Sequence, residues 1–263
     1  ELDARILGET YHKALELFYQ KMIDGKIDSL NGDLEKSELL YRESVQEAIA
    51  WLESESRVVD NQFWQYLKKE IEFRLMRFFE YEIERENKAK EPFKASRVEA
   101  AFGMDDLGSA GPLVLGSGEN QVFIRGKIDR VDVDCQPGGR RVKVIDYKAG
   151  SSYISSQEAF AGRNLQMPIY MMAARRCLDK DSEPVEGVYL SVSSGKPIGK
   201  IDFADSEKRE EILKVTEKHV LNYVAAIGEG KFNVAPNGNT VCDSCGHKLI
   251  CRISEMKSTT DSR

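Results

Sequence analysis

The sequence predicts an α/β fold in which a helical first third leads into a sheet-forming middle. Apolar residues recur at three- and four-residue intervals through the first ninety positions, and after Pro92 the chain turns to short β-branched runs broken by glycine and proline. Leu2, Ile6, Leu7, Tyr11, Leu15 and Phe18 mark a first amphipathic helix, which the polar stretch Gly25 to Gly32 ends. Leu39, Leu40, Val45, Ile49 and Leu52 mark a second over 34–53, and Phe63, Leu67, Ile71, Leu75, Phe78 and Phe79 a third over 61–85. Strands are expected at 96–102, 112–115, 121–134 and 140–147, the last two joined by the turn Gln136-Pro137-Gly138-Gly139. A helix over 162–178, strands at 185–192 and 199–203, and a helix over 206–227 complete the pattern.

Composition excludes several classes. With 41% apolar residues among 263, the chain is neither disordered nor fibrous. No apolar run approaches the ~18 residues of a membrane span, and Glu1-Leu2-Asp3-Ala4-Arg5 lacks the pattern of a secretory signal, so a cytoplasmic protein is expected. Starting in helical sequence without an initiator Met suggests a piece of something longer. The formal charge is −6, yet residues 121–176 carry a net +5, a balance that suits a phosphate-facing surface as well as solvated hairpin edges.

The chemistry concentrates around Val142-Lys143-Val144-Ile145-Asp146-Tyr147-Lys148. Side chains alternate along a strand, so Asp146 and Lys148 share one face, and the hairpin can bring Asp129 near them. Paired carboxylates suit a hard divalent cation, and a neighbouring lysine can orient the attacking water or offset charge on a phosphate. The Asp/Glu-x-Lys spacing recurs at least five times here, but only Asp146/Lys148 ends a β-branched run with another acidic residue in the preceding strand. Without that context it would be an exposed ion pair worth under ~1 kcal/mol.

Four motifs in this order resemble the PD-(D/E)XK nuclease superfamily, in particular its RecB/AddB-type exonuclease domains with an iron–sulfur branch. Gly8-Glu9-Thr10-Tyr11-His12 resembles the family's Gly-x3-His helix, which implies that His12 is a metal ligand. Gly126-Lys127-Ile128-Asp129-Arg130 resembles the Gly-x-Ile-Asp-Arg box, and Ile145-Asp146-Tyr147-Lys148-Ala149-Gly150 the Asp-Tyr-Lys-Thr-Gly box, with Ala149 in place of the usual Thr. Gln166-Met167-Pro168-Ile169-Tyr170 is similar to the Gln-x3-Tyr box, whose Gln166 and Tyr170 share a helix face that can meet the active site or DNA and are counted as site residues. The resemblance implies a restriction-endonuclease-like central mixed sheet flanked by helices. It further implies Mg²⁺ or Mn²⁺ held by His12, Asp129, Asp146 and the Tyr147 carbonyl, with Lys148 as the catalytic lysine. Glu99 stands where relatives often carry a glutamate and is a second-tier candidate. The nuclease domain is expected over 1–254, made of helical residues 1–91, a catalytic sheet and helix over 92–204 and a closing helix with a cysteine cluster over 205–254, then a disordered tail over 255–263. Its substrate is expected to be DNA, and its partner a helicase subunit or domain. A nuclease-like module that binds DNA or serves as a scaffold without cutting is the alternative, although such modules normally lose an acidic residue or the lysine, and none is missing.

Cys242, Cys245 and Cys251 form Cys-x2-Cys-x5-Cys, a spacing that lets several thiolates turn onto one ion or cluster. Zinc bound with His247 is a competing reading of the same residues. The iron–sulfur branch joins such a trio to one cysteine before the Gly-x3-His helix to hold a structural [4Fe–4S] cluster. No cysteine precedes His12 here, so the fourth ligand is expected upstream of Glu1.

Overall fold

A computed structural model describes residues 4–55, 58–89, 93–105, 108–136, 139–236, 240–243 and 245–251. Two compact units divide the chain, Glu1–Leu221 and Asn222–Arg263. The first opens with three helices, α1 (Ala4–Ile23), α2 (Leu34–Ser54) and α3 (Gln62–Lys88). The Asp33 side chain accepts from Lys36 N at 3.1 Å and that of Asn61 from Trp64 N at 2.9 Å, satisfying main-chain donors that the first turns of α2 and α3 leave free.

Strands β1 (Lys94–Phe102), β4 (Gly126–Gln136), β5 (Gly139–Lys148), β6 (Ser182–Ser191) and β7 (Lys196–Asp202) form one sheet in the order β1-β4-β5-β6-β7. Only β5 and β6 run parallel. The crossover between them carries α4 (Ser156–Phe160) and α5 (Gln166–Ala173). Strands β2 (Leu113–Leu115) and β3 (Val122–Ile124) form a separate hairpin, and α6 (Ser206–Gly228) follows β7. Among the described residues, no helix is long and apolar enough to cross a membrane.

Each face of the sheet carries a core. Leu15 and Phe18 of α1, Ile49 of α2 and Leu75 and Phe78 of α3 pack with Ile145, Tyr147 and Leu190. Met167 and Met171 of α5 and Ile212 of α6 pack with Val131, Val142 and Val144. Because side chains alternate along β5, Ile145 and Tyr147 face the three-helix layer, while Asp146 and Lys148 face α5. Gly187 of β6, paired with Val144, lets α5 lie close: a Cβ there would come within 2.5 Å of Met167 Cγ. Gly187→Ala is expected to destabilise the fold by about 1–3 kcal/mol, read from the denaturant midpoint at unchanged m-value.

Two expected elements differ from those observed, and one observed helix has no counterpart among them. The strand expected over 121–134 is broken at Arg125, because β3 pairs with β2 whereas β4 pairs with β1, and the chain changes partner there. The helix expected over 162–178 starts at Gln166 and ends in a π-helical turn, Ala174–Leu178. Before it, Gly162 with φ +73° closes a turn in which Arg163 N and Asn164 N both donate to Glu158 O. Helix α4 is too short to leave a periodic mark in the sequence, although Ser155 caps it by accepting from Gln157 N at 3.2 Å. Pro137 and Gly138 of the hairpin turn and the tail over 255–263 lie outside the described residues.

Candidate active site

The site forms where β4 and β5 part. Their ladder runs from Gln136/Gly139 to Arg130/Ile145. Beyond it the Asp129 carboxylate takes the acceptor's place, its Oδ2 accepting from Tyr147 N at 2.7 Å. On the other side of β4, Val98 pairs with Arg130 and Ala100 with Ile128, which sets Glu99 opposite Asp129. Glu99 has φ +44°, a left-handed conformation that is costly for a residue with a side chain and is concentrated at functional sites. Helix α1 brings His12 to the same point. Its Nδ1 lies 3.4 Å from Asp129 Oδ1 and its Nε2 is 3.0 Å from the Tyr147 carbonyl oxygen. One ligand atom from each of His12, Glu99 and Asp129 lies within 4.8 Å of the others. Ligands on opposite sides of Mg²⁺ are ~4.2 Å apart, so this donor set needs little contraction to share one ion.

A second group adjoins the first. Lys148 Nζ lies 2.7 Å from Asp146 Oδ2 and donates to Gln166 Oε1 at 2.9 Å. Gln166 Nε2 in turn donates to Asp146 Oδ1 at 2.8 Å and to the Tyr170 hydroxyl at 3.2 Å. Gln166 therefore clamps the acid and the lysine with both ends of its amide. The structure thus gathers His12, Glu99 and Asp129 into one group. Asp146 belongs to the other, its carboxylate engaged by Lys148 and Gln166, and the Tyr147 carbonyl faces His12.

Protonation follows from the crowding of anions. Burial pushes Asp146 up to about 6, with the Asp129 charge adding to it and Lys148 opposing. Burial, followed by Asp129, pushes Glu99 up to about 7. For His12 burial favours the neutral ring, but the hydrogen bond and charge of Asp129 outweigh it and raise the group to about 9. An imidazolium between Asp129 and a carbonyl, beside carboxylates that give up their protons later than usual, is the signature of acidic oxygens short of positive charge. A divalent cation would supply that charge, so these residues fit one.

Beneath the site lies a network that sequence reasoning missed. Arg130, 1% exposed, points into the three-helix layer. Its Nη1 donates to Glu82 Oε2 at 2.9 Å and to the Tyr147 hydroxyl at 2.7 Å. Its Nη2 donates to Asp132 Oδ2 at 3.0 Å, its Nε is 2.8 Å from Asp132 Oδ1, and the guanidinium lies 4.0 Å from the Tyr19 ring centroid. Glu82 also accepts from the Tyr19 hydroxyl and from Arg85 Nη2. The mark it leaves in the sequence is a carboxylate on the same apolar stripe as Leu75, Phe78 and Phe79. A cavity of about 750 Å³ opens beside this network, lined by Tyr19, Glu82, Arg85, Arg130, Asp132 and Lys143 among others.

A model of the PD-(D/E)XK nuclease superfamily matches residues 1–252. The chain belongs to the PD-(D/E)XK nuclease superfamily. Its mixed five-stranded sheet flanked by helices is consistent with the restriction-endonuclease-like fold of that superfamily. Among curated relatives, the B subunit of the ATP-dependent helicase/deoxyribonuclease of Moorella thermoacetica is 28% identical over 223 residues, which cover 81% of this chain and 19% of that protein. The protein of the same name from Natranaerobius thermophilus is 30% identical over 180 residues, covering 68% and 15%. That from Thermoanaerobacter sp. is 34% identical over 127 residues, covering 46% and 11%. This PD-(D/E)XK chain thus spans less than a fifth of the length of these relatives.

The three cysteines of the C-terminal cluster lie in the second unit. Cys242 is in α7 (Thr240–Asp243) and Cys251 ends α8 (Lys248–Cys251). Cys245 N donates to Cys242 O at 3.4 Å and Cys251 N to His247 O at 3.0 Å, two separate local turns, and all three thiols are free; their sulfurs are not gathered within 4.8 Å of one another.

Proposed function

We propose that this chain is a Mg²⁺- or Mn²⁺-dependent deoxyribonuclease, the exonuclease part of a helicase–nuclease that acts in DNA repair and recombination. The observation that carries the reading is the convergence of His12, Glu99 and Asp129 beside a clamped Asp146–Lys148 pair. The shared name of the relatives, an ATP-dependent helicase/deoxyribonuclease, supports DNA as substrate and a helicase subunit or domain as partner. Arg130, Arg140, Lys143, Arg175 and Arg176 of the net +5 stretch lie against Glu82, Asp179, Glu186, Glu210 and Glu217 from outside it, so the reading does not rest on that local charge.

In this reading His12, Glu99, Asp129 and Asp146, with the Tyr147 carbonyl, would hold the cation. Bound there, it would act as a Lewis acid on the scissile phosphate and lower the pKa of water. Hydrolysis adds water to phosphorus, breaks one P–O bond and returns a proton to the leaving oxygen. The Lys148 ammonium, held by Asp146 and Gln166, orients the water and offsets charge building on the phosphate. Gln166 keeps that ammonium in place, and Tyr170 keeps Gln166.

The test compares DNA degradation by the wild type, Asp146→Ala and Lys148→Ala with Mg²⁺ or Mn²⁺. Lys148→Ala is expected to lose roughly 10²–10⁴ in rate, and Asp146→Ala at least as much. Equal activity in all three proteins would mean a contaminant or the wrong site, and an inert wild type that still binds DNA would favour the non-catalytic module.

The Cys-x2-Cys-x5-Cys spacing of Cys242, Cys245 and Cys251 supports a second proposal, a structural [4Fe–4S] cluster in the intact protein with its fourth ligand outside the trio. Metal analysis of anaerobically purified intact protein is expected to find iron with sulfide. Zinc would point instead to a site that includes His247, and neither metal would remove both readings.

A further inference from the structure

The segment that leads into β4 has no part in the chemistry above, and its pattern is unusual. From Gln121 to Lys127 exposure alternates: Val122, Ile124 and Gly126 are partly covered, while Phe123, Arg125 and Lys127 stand in solvent. Val122 and Ile124 pack against the α5-side core, which leaves the opposite side of the segment open. Phe123 is 64% exposed, a large ring on the outer face of the β2–β3 hairpin. Arg125 has no ion-pair partner among the described residues. Lys127 Nζ is 3.9 Å from Glu99 Oε2, which ties this end of the row to the candidate active site.

We propose that this segment is a track for a single DNA strand, in which Lys127 and Arg125 hold backbone phosphates leading away from the scissile one and Phe123 stacks on a base. The proposal rests on the nuclease reading for the position of the scissile phosphate. Residues two apart on an extended chain are ~6.6 Å apart, and a stacked strand carries one phosphate per ~3.4 Å of rise. The two cations therefore match neighbouring phosphates of a strand drawn out to about twice its stacked rise. A strand drawn out in that way has unstacked bases, and an exposed aromatic ring at the far end of the row gives one of them a new surface. A solvated strand edge would need neither the aromatic ring nor, in line with the site, an arginine with no ion-pair partner among the described residues.

The experiment uses the full chain with Arg125→Ala, Phe123→Ala and, as a control, Lys208→Ala, whose side chain is 75% exposed on α6. Single-stranded oligodeoxynucleotides and a small chromogenic phosphodiester, too short to reach the track, serve as substrates. Arg125→Ala and Phe123→Ala are expected to raise KM for the oligonucleotide roughly tenfold at unchanged kcat, with no effect on the small phosphodiester. Binding of the same oligonucleotide by fluorescence polarisation is expected to lose about 0.7 from its log–log salt slope in Arg125→Ala. Lys208→Ala is expected to change neither. Unchanged KM and salt slope would overturn the track, and so would an equal loss on the small phosphodiester, which would place the effect in the active site. A requirement for duplex with no effect of Phe123→Ala would overturn the single-strand assignment. DNA binding that depends on Arg125 and Phe123 in a chain that cuts nothing would keep the track and sink the nuclease reading, whereas cutting with an unaffected KM would do the reverse.

Discussion

Arg130→Leu is expected to destabilise the chain by about 3–5 kcal/mol, read as a lower denaturant midpoint. Arg130 is 1% exposed and Glu82 2%, so removing the guanidinium leaves Glu82 and Asp132 buried with only Arg85 to compensate them. Burial by itself would push the Glu82 carboxyl up, yet Arg85 and Arg130 hold it below the usual glutamate value. A depressed carboxyl contributes stability above its unfolded pKa that is lost as pH falls through its folded one, so acid unfolding of the wild type draws on this network. Arg130→Lys is not expected to rescue the loss, because one ammonium cannot reach Glu82, Asp132 and the Tyr147 hydroxyl together. Replacing Glu82, Arg130 and Asp132 together by apolar residues of similar volume is expected to recover most of the stability, since no uncompensated charge then remains buried. A loss under ~1 kcal/mol in Arg130→Leu would show that the ion pairs contribute little. The Tyr147 main chain carries the contacts to Asp129 and His12, so the same variant is expected to lower nuclease activity at temperatures where it is still folded.

Divalent cations are expected to stabilise the wild type at neutral and alkaline pH and to do nothing for Asp129→Asn. At a hundredfold excess over Kd the gain is about 2.7 kcal/mol. Asp146, Glu99 and His12, raised to about 6, about 7 and about 9, all bind protons more tightly folded than unfolded. In metal-free protein the stability they contribute is fully present at low pH and is lost as pH rises through each folded value in turn. Protons and the cation compete for the same oxygens and ring nitrogen. The shift in Tm produced by Mg²⁺ or Mn²⁺ should therefore be near zero at about pH 5, grow through about 6 and 7, and continue to grow towards about 9. Thermal melts with and without the ion across this range check it. A shift of equal size at the acid and alkaline ends of the range, or an undiminished one in Asp129→Asn, would remove the site. Nuclease activity of Asp129→Asn is expected to fall by at least the roughly 10²–10⁴ expected for the lysine variant, since the substitution removes a ligand and weakens the acceptor that holds Tyr147 N.

The amino-acid order by itself determined the succession of helices and strands, because hydrophobic periodicity is a local property that 3.6-residue and two-residue repeats write into short windows. It also put Asp146 and Lys148 on one face of a strand, and Gln166 and Tyr170 on one face of a helix, for the same reason. What such periods do not carry is partnership between segments. That Glu99 stands opposite Asp129 depends on the register of β1 against β4 and on a left-handed residue within it. That Gln166 clamps Asp146 and Lys148 depends on how closely α5 lies on the sheet at Gly187. The break at Arg125 arose because β3 and β4 found different partners, although the run from Gln121 to Asp134 reads as one strand. Arg130 and Glu82 lie 48 positions apart, and only the packing of α3 on the sheet joins the two charges into a buried network under the site.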